Sequence, residues 1–304
     1  MTSNKLSRPW VAGPTIAVLV AAIVVVQVVR DRQYPQATVS DRLLYVRSGE
    51  ALRRLVLSFD ALAADVYWIR AIQHFGGERL STTARNYDLL YPLLDLTTSL
   101  DPHFSVAYRF GSIFLSEPYP GGAGRPDLAI TLLEKGIKED GRWQFFHDIA
   151  FVHYWHTGNY TLAAEWFQRA ATQPGAPYWL APLAAATLAQ GGQRAASRLL
   201  WQHLRQTSDN DFIKSSAERR LVQLDVLDFI DGVEPILEKY AQANPEGPLT
   251  WERLLADGVV RRIPLDPTGV PFELNPWWGT LTVPPKSSLY PMPSEPPPIV
   301  QGQP

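Results

Sequence analysis

The spacing of apolar and polar positions divides the chain into four regions. Residues 1–32 hold an unbroken aliphatic run, residues 40–209 carry apolar positions at helical spacing with a longer repeat, residues 210–262 keep the helical spacing without the repeat, and residues 263–304 are rich in proline. Apolar residues at helical spacing indicate amphipathic helices that turn one face toward a core. The sequence therefore predicts an all-α protein with an N-terminal anchor, a helical body, a C-terminal helical cap and an extended tail.

The aliphatic run near the N terminus has the length of a membrane span. No charged residue occurs from Pro9 to Val29, and Ile16 to Val26 is uninterrupted aliphatic sequence. At about 1.5 Å per residue, a helix over this stretch is roughly 30 Å long, which matches the hydrocarbon thickness of a bilayer. A cleaved signal peptide is the alternative, but Arg30 closes the run where a small-x-small cleavage site is expected. We predict an uncleaved transmembrane helix over residues 10–29, in a chain that crosses the membrane once.

The charges that flank this run do not decide its orientation. Lys5 and Arg8 precede the run, and Arg30 and Arg32 follow it. The positive-inside rule cannot choose between two equal flanks. An N-terminal anchor with a large C-terminal domain most often holds that domain outside the cytoplasm, and we adopt this orientation as the prediction.

Residue types return at a period of 34 along the central region. The pairs separated by 34 positions are Ala150 and Ala184, Tyr154 and Leu188, Gly158 and Gly192, Phe167 and Trp201, Ala170 and Leu204, Ala129 and Ala163, Leu133 and Phe167, and Gly136 and Ala170. A single helical stripe has a period of 3.6 and does not require this return, whereas an array of equivalent helix pairs does. The pattern predicts small residues where helices approach closely and large apolar residues between successive pairs.

The best copy of this unit spans Phe145 to Pro177. A helix that ends near Thr157 is followed by the turn Gly158-Asn159-Tyr160, a second helix and Pro174. The second helix places small and aromatic residues on one face: Ala163, Phe167 and Ala170. This unit resembles the tetratricopeptide repeat (TPR), a pair of antiparallel helices of about 34 residues that stacks into an α-solenoid.

Other units are less regular. A first helix over residues 103–115 and a second over Asp127–Ile137 are separated by Glu117–Pro126, whose glycines predict a mobile loop. Before them, the sequence predicts another helix pair, over Ala51–Phe75 and Arg85–Leu100. In total the sequence predicts about four helical pairs, with covering helices at both ends of the stack.

The period is lost after Phe212. Helices are expected over Ile213–Asp231 and Val233–Ala243, and the Asp266-Pro-Thr-Gly-Val-Pro-Phe272 segment follows a short helix. A similar helix, glycine and D-P-x-G order occurs at the C-terminal ends of type II secretion pseudopilins, and this likeness implies a shared local fold. Beyond Trp278 the prolines predict an extended or disordered tail, which is either a spacer or a polyproline ligand.

The order of anchor, cap, aromatic-rich repeats and D-P-x-G terminus, over about residues 45–280, resembles the bacterial membrane-anchored TPR proteins. The resemblance implies a superhelical scaffold for protein contacts. With the orientation adopted above, we expect a bacterial inner-membrane protein whose C-terminal domain lies in the periplasm.

The amino-acid composition excludes several classes of function. The chain has 28 lysines and arginines against 30 aspartates and glutamates, and it has no cysteine. It therefore lacks the basic field that nucleic-acid binding needs, and it cannot use thiolate catalysis or cysteine-bound metals. Neither a phosphate-binding loop nor a nucleophile-elbow motif occurs. We predict no cofactor, no metal, no small-molecule substrate and no enzymatic activity.

Three histidines lie close together in the sequence, at His147, His153 and His156. On a helix His153 and His156 lie about 60° apart, but His147 lies well round the axis from both. Structural or groove-facing histidines are the favoured interpretation. An envelope hydrolase or metalloenzyme that uses this cluster is the alternative.

The TPR resemblance implies that the first helix of each pair lines a concave binding face. The residues predicted to bind a protein partner there are Tyr108, Arg109, His147, Tyr154, Trp155 and Trp179. Tyrosine, tryptophan and arginine give large contact areas at modest entropic cost. The predicted function is a membrane-tethered scaffold or adaptor, and a permanent structural subunit of a membrane complex is the alternative.

Overall fold

The computed structural model describes residues 19–26, 58–82 and 84–293. These residues are mostly helical, so the coarse prediction of a helical protein is confirmed. The chain forms two compact units, residues 1–101 and 102–304. The region predicted to hold repeats, residues 40–209, is therefore divided between the two units, which the sequence pattern did not indicate.

Most of the predicted anchor lies outside the described residues. Within it, residues 19–26 are helical. None of the helices in the described part of the chain combines the length and the apolar character that crossing a membrane requires.

Over the described residues from 58 to 101, two helices of the first unit pack on each other, α1 over Asp60–Leu80 and α2 over Leu90–Leu100. The buried face of α1 carries Ala64, Tyr67 and Ala71 at helical spacing. Helix α2 begins later than the predicted Arg85, because Asn86 forms a turn in which its side-chain oxygen accepts a hydrogen bond from the Asp88 N–H at 2.8 Å.

The second unit contains a series of helices followed by a short hairpin. The elements are α3 (Ser105–Ser116), α4 (Pro126–Glu139), α5 (Trp143–Val152), α6 (Tyr160–Ala171), α7 (Leu180–Gln190), α8 (Arg194–Thr207), α9 (Asp211–Ala243), α10 (Trp251–Ala256), β1 (Glu273–Leu274) and β2 (Leu281–Thr282). From α3 to α9, each helix packs on the next one in the sequence.

The 34-residue period is present in the backbone of this unit. Helices α4, α6 and α8 begin at Pro126, Tyr160 and Arg194, which are 34 residues apart. A glycine with a left-handed backbone precedes each of them by two residues: Gly124 (φ 64°), Gly158 (φ 65°) and Gly192 (φ 75°). Because a left-handed backbone is open to glycine at little cost, these glycines allow the sharp turn between the helices of each pair.

The apolar core of the second unit consists of successive clusters. One joins α5, α6 and α7 through Ala150, Ala163 and Ala184. The next joins α7, α8 and α9 and includes Ala185 and Trp201. Each cluster is therefore shared by helices that are neighbours in the sequence, and the small residues allow the close approach that the sequence predicted.

The structure corrects the prediction of two helices after Phe212. A single helix of 33 residues, α9, continues through Pro235. Proline removes one helical hydrogen bond, but packing on both sides of it holds the helix together. Ala217 and Leu221 join the cluster with α8, and Ile230 and Leu237 join a cluster with the C-terminal segment.

The prediction of an extended tail from residue 263 is wrong for the described residues up to 293. Strands β1 and β2 pair as an antiparallel hairpin. Phe272, Leu281, Val283 and Leu289 are buried in the cluster with α9. Regularly placed apolar residues between the prolines supply the buried surface that a solvated spacer would lack.

The Glu117–Pro126 loop, predicted to be mobile, folds back on the end of α3. The backbone N–H of Ala123 donates to the Phe114 carbonyl at 3.1 Å, and that of Arg125 donates to the Leu115 carbonyl at 2.7 Å. A Cβ at Gly122 would lie 2.6 Å from the Glu117 Cβ. Glycine at this position therefore permits the loop to close on the helix end.

Candidate functional site

Aromatic side chains from α5 and the start of α7 form a continuous set of ring contacts, which we call the aromatic face. Its members are Trp143, His147, Phe151, Trp155 and Trp179. The rings of His147 and Trp179 lie 5.7 Å apart, and those of Phe151 and Trp155 lie 6.0 Å apart. Residues four apart on a helix share one side, which explains why Trp143, His147, Phe151 and Trp155 line up.

Part of this face is exposed. Trp155 is 65% exposed, Phe151 42% and Trp179 40%. Trp155 lies in a π-helical turn, His153–Thr157, which continues α5 up to Gly158. Such turns are rare and are often found at functional sites. Large exposed aromatic side chains on a rigid helix are typical of protein-contact surfaces.

An ion pair fixes the polar edge of the aromatic face. The Arg109 Nε of α3 donates to Asp148 Oδ2 of α5 at 2.6 Å, and Nη2 donates to Oδ1 at 3.3 Å. Asp148 Oδ1 also lies 3.0 Å from His147 Nδ1. The hydrogen bond to Asp148 raises the pKa of Arg109, against the opposing effect of burial. The ion pair therefore joins α3 to α5, and Asp148 also orients the imidazole of His147.

Tyr154 connects the π-helical turn to the end of α7. Its hydroxyl donates to Gln190 Oε1 at 2.6 Å, and its ring lies 5.3 Å from that of Trp155 and 5.2 Å from that of Tyr160. Tyr154 is half-buried, and the edge of one ring faces the other in its contact with Trp155.

Five of the six predicted binding residues belong to this connected arrangement: Arg109, His147, Tyr154, Trp155 and Trp179. Tyr108 does not. It is fully buried, and its ring packs 5.3 Å from that of Phe145 beside Gly136. A side chain with no exposed area cannot contact a partner, so Tyr108 leaves the predicted surface and fills the core instead.

Sequence reasoning missed three members of the site: Trp143, Phe151 and the ion-pairing role of Asp148. The four-residue spacing of Trp143, His147, Phe151 and Trp155 was visible in the sequence and could have identified the first two. The pairing of Asp148 with Arg109 joins residues 39 positions apart and has no local signal.

The histidines are separated in their contacts. His153 Nδ1 lies 3.4 Å from Thr157 Oγ1, and His156 Nδ1 is buried with no hydrogen-bond partner among the described residues. Burial lowers the pKa of both imidazoles, while Glu117 acts in the opposite direction on His156. Over residues 19–26, 58–82 and 84–293, no group of three or more histidine, aspartate or glutamate side chains is placed to hold a metal ion.

Comparison of the chain with protein-family models, with curated proteins and with solved structures gives no match.

Proposed function

We propose that this chain is a membrane-tethered, TPR-like scaffold that captures a protein partner on its aromatic face. The solenoid part of the proposal is supported by the order of packing in the second unit. Helices contact their neighbours in the sequence, second helices start 34 residues apart, and each apolar cluster belongs to successive helices. A helical bundle around one centre would instead share a single core.

The exposed aromatic face is the observation that carries the binding proposal. Trp155 and Phe151 present large apolar surfaces next to the Arg109–Asp148 ion pair. Aromatic anchors bordered by a polar rim are the usual composition of interaction hot spots. The hydrogen bond from Tyr154 to Gln190 fixes the π-helical turn to the end of α7. The surface is therefore formed before a partner binds.

The tether and its orientation rest on the aliphatic run from Pro9 to Val29 and on the common orientation of N-terminal anchors. A bacterial inner-membrane protein with a periplasmic C-terminal domain is the form of the proposal that the resemblance favours.

The experiment begins with cross-linking in intact membranes to identify the partner, followed by a binding measurement with the full chain. Combined replacement Trp155→Ala and Phe151→Ala should weaken capture at least tenfold, since truncated hot-spot aromatics typically cost about 2 kcal/mol or more. The chain should remain folded, because a large part of each side chain is exposed. Leu199→Ala, at a 68% exposed position on α8, is the matched control. Undiminished capture by the double variant would contradict the proposal.

The alternative, a permanent subunit of a membrane complex, relied on a free tail lying along a neighbour. The described part of that tail packs on α9 of its own chain. Extraction separates the two functions: a permanent subunit co-purifies in a fixed ratio, whereas an adaptor that relies on polar rim contacts is released at moderate salt.

A further inference from the structure

A groove opens between α9 and the segment that follows α10. Its volume is about 440 Å³. The apolar side chains that line it include Phe229, Val233 and Ile236 from α9, and Val259, Val260 and Leu265 from the segment. Pockets that hold small molecules usually measure about 300 to 1,000 Å³, so the groove has the size of a ligand site.

The apolar lining is open to solvent. Ile236 is 56% exposed, Leu265 is 55% exposed and Phe229 is 42% exposed. These side chains would gain from a cover that removes them from water. None of the residues that line the groove belongs to the aromatic face, so the groove is a different candidate site.

The only polar side chains that line the groove, among the described residues, are those of Arg261 and Arg262. None of the ion pairs among the described residues involves either arginine. Glu238, next to Leu237, is exposed, and four other carboxylates close to the lining in the sequence are engaged elsewhere. Asp231 pairs with Arg194 at 2.7 Å, Glu234 accepts from the Leu281 N–H at 2.7 Å, Asp257 accepts from the Tyr240 hydroxyl, and Asp266 accepts from the Val270 N–H at 2.9 Å.

We propose that the groove binds a long-chain fatty acid, with the acyl chain on the apolar lining and the carboxylate at Arg261 and Arg262. The two arginines supply unneutralised positive charge beside an apolar surface, and guanidinium groups bind carboxylates in a bidentate manner. A peptide would bring amide groups that need hydrogen-bond partners, and the side chains of the lining offer none besides the arginines. An acyl chain makes no such demand.

The first test locates the ligand on the full chain in a detergent-free preparation. The probe is hexadecanoic acid that carries a photoreactive diazirine near the end of the chain. Mass spectrometry should find the label in peptides that contain residues 229–237 and 259–265, and unlabelled hexadecanoic acid should displace it. Labelling that is absent, or that unlabelled acid does not displace from these peptides, would overturn the proposal.

The second test separates the apolar and the charged contributions. For fatty acids shorter than the groove, each methylene removed should weaken competition about fourfold. Hexadecanol should compete at least tenfold less well than hexadecanoic acid. The combined replacement Arg261→Gln and Arg262→Gln should remove this preference for the acid, whereas Arg205→Gln should keep it. Equal competition by acid and alcohol in the unchanged chain would overturn the placement of the carboxylate.

Two further variants control for folding and for independence from the partner site. Ile236→Glu places a charge in the open lining and should abolish labelling, whereas Leu199→Glu, also at an exposed apolar position, should not. Loss of labelling in both would contradict a specific groove. Trp155→Ala should leave labelling unchanged, so failure of the fatty-acid proposal and failure of the scaffold proposal are distinguishable.

Discussion

His74 is a buried titratable side chain in the first unit. It lies on the inner side of α1, and its Nε2 has no hydrogen-bond partner among the described residues. Burial lowers the pKa of its imidazole, although Glu78 and Asp88 act in the opposite direction. The neutral form is therefore the one that the folded unit accommodates.

The lowered pKa of His74 predicts that mild acid reduces the stability of the first unit. Because the pKa is lower in the folded than in the unfolded state, the unfolded state takes up the proton first, and stability falls as the pH drops below about 6.5. Hydrogen exchange of residues 60–80 should accelerate between pH 7 and pH 5 after correction for the intrinsic rate. His74→Gln, which cannot titrate, should flatten this dependence. Equal pH dependence in both proteins would contradict the assignment.

Asp266, in the D-P-x-G segment, is a buried carboxyl group. It accepts hydrogen bonds from the Thr268 N–H at 2.8 Å, from the Thr268 hydroxyl at 2.7 Å and from the Ser287 hydroxyl. Burial alone would raise its pKa, but the hydrogen bonds from Ser287, Val270 and Thr268 outweigh burial and lower it. The D-P-x-G segment is therefore a turn closed by its own aspartate.

Asp266→Ala should lower the stability of the C-terminal layer, because it leaves several buried donors without their acceptor. The expected loss in the free energy of unfolding is about 1 to 3 kcal/mol. Since the pKa is depressed on folding, the unchanged protein should lose this contribution as the pH falls below about 4. Denaturant unfolding at pH 7 and pH 3 measures both effects, with the exposed Glu218→Ala as control. A loss at pH 7 no larger than that of the control would contradict this role.

At the scale of elements, one buried polar side chain of α9 donates hydrogen bonds to the C-terminal segment. The Gln223 Nε2 donates to the Leu289 carbonyl at 2.5 Å and to the Pro291 carbonyl at 3.0 Å, and Gln223 has no exposed area. Proline-rich segments supply few backbone donors of their own, so a side-chain amide that donates to their carbonyls is an effective attachment.

Gln223→Leu keeps the approximate volume but removes this donor. We expect the segment over residues 284–293 to exchange its amide hydrogens faster by at least tenfold, because an unsatisfied buried carbonyl costs about 1 to 3 kcal/mol. Arg219→Ala, which removes an exposed hydrogen bond to the Tyr290 carbonyl at 2.8 Å, should have a smaller effect. Unchanged exchange in Gln223→Leu would show that the apolar contacts alone hold the segment.

The helices and their repeat could be predicted because both depend on residues close in sequence. Ala163, Phe167 and Gly158 have the local pattern of a helix pair, and the structure places them in a buried face and a left-handed turn. The continuity of α9 through Pro235 could not be predicted, because it depends on packing partners from α8 and from the C-terminal segment. The folded state of the C-terminal segment could not be predicted for the same reason, because it depends on packing against α9.

At the scale of the whole molecule, the sequence predicted a repeat region but not the boundary between Asp101 and Pro102. The site was predictable where a residue type and a helix face sufficed, as for Trp155 and Trp179. Tyr108 is also a large aromatic residue, but Gly136 of α4 leaves room for its ring in the core. This fit between a tyrosine of α3 and a glycine of α4 cannot be seen in the sequence of either helix alone.

The central claim is that the aromatic face captures a protein partner, and site-specific photo-cross-linking tests it most directly. A photoreactive phenylalanine analogue replaces Trp155 in the full chain in living cells, and the same analogue replaces Leu199 on α8 in a parallel strain. The account predicts one discrete cross-linked partner from position 155 and none from position 199. A discrete partner that cross-links from position 199, with none from position 155, would contradict it.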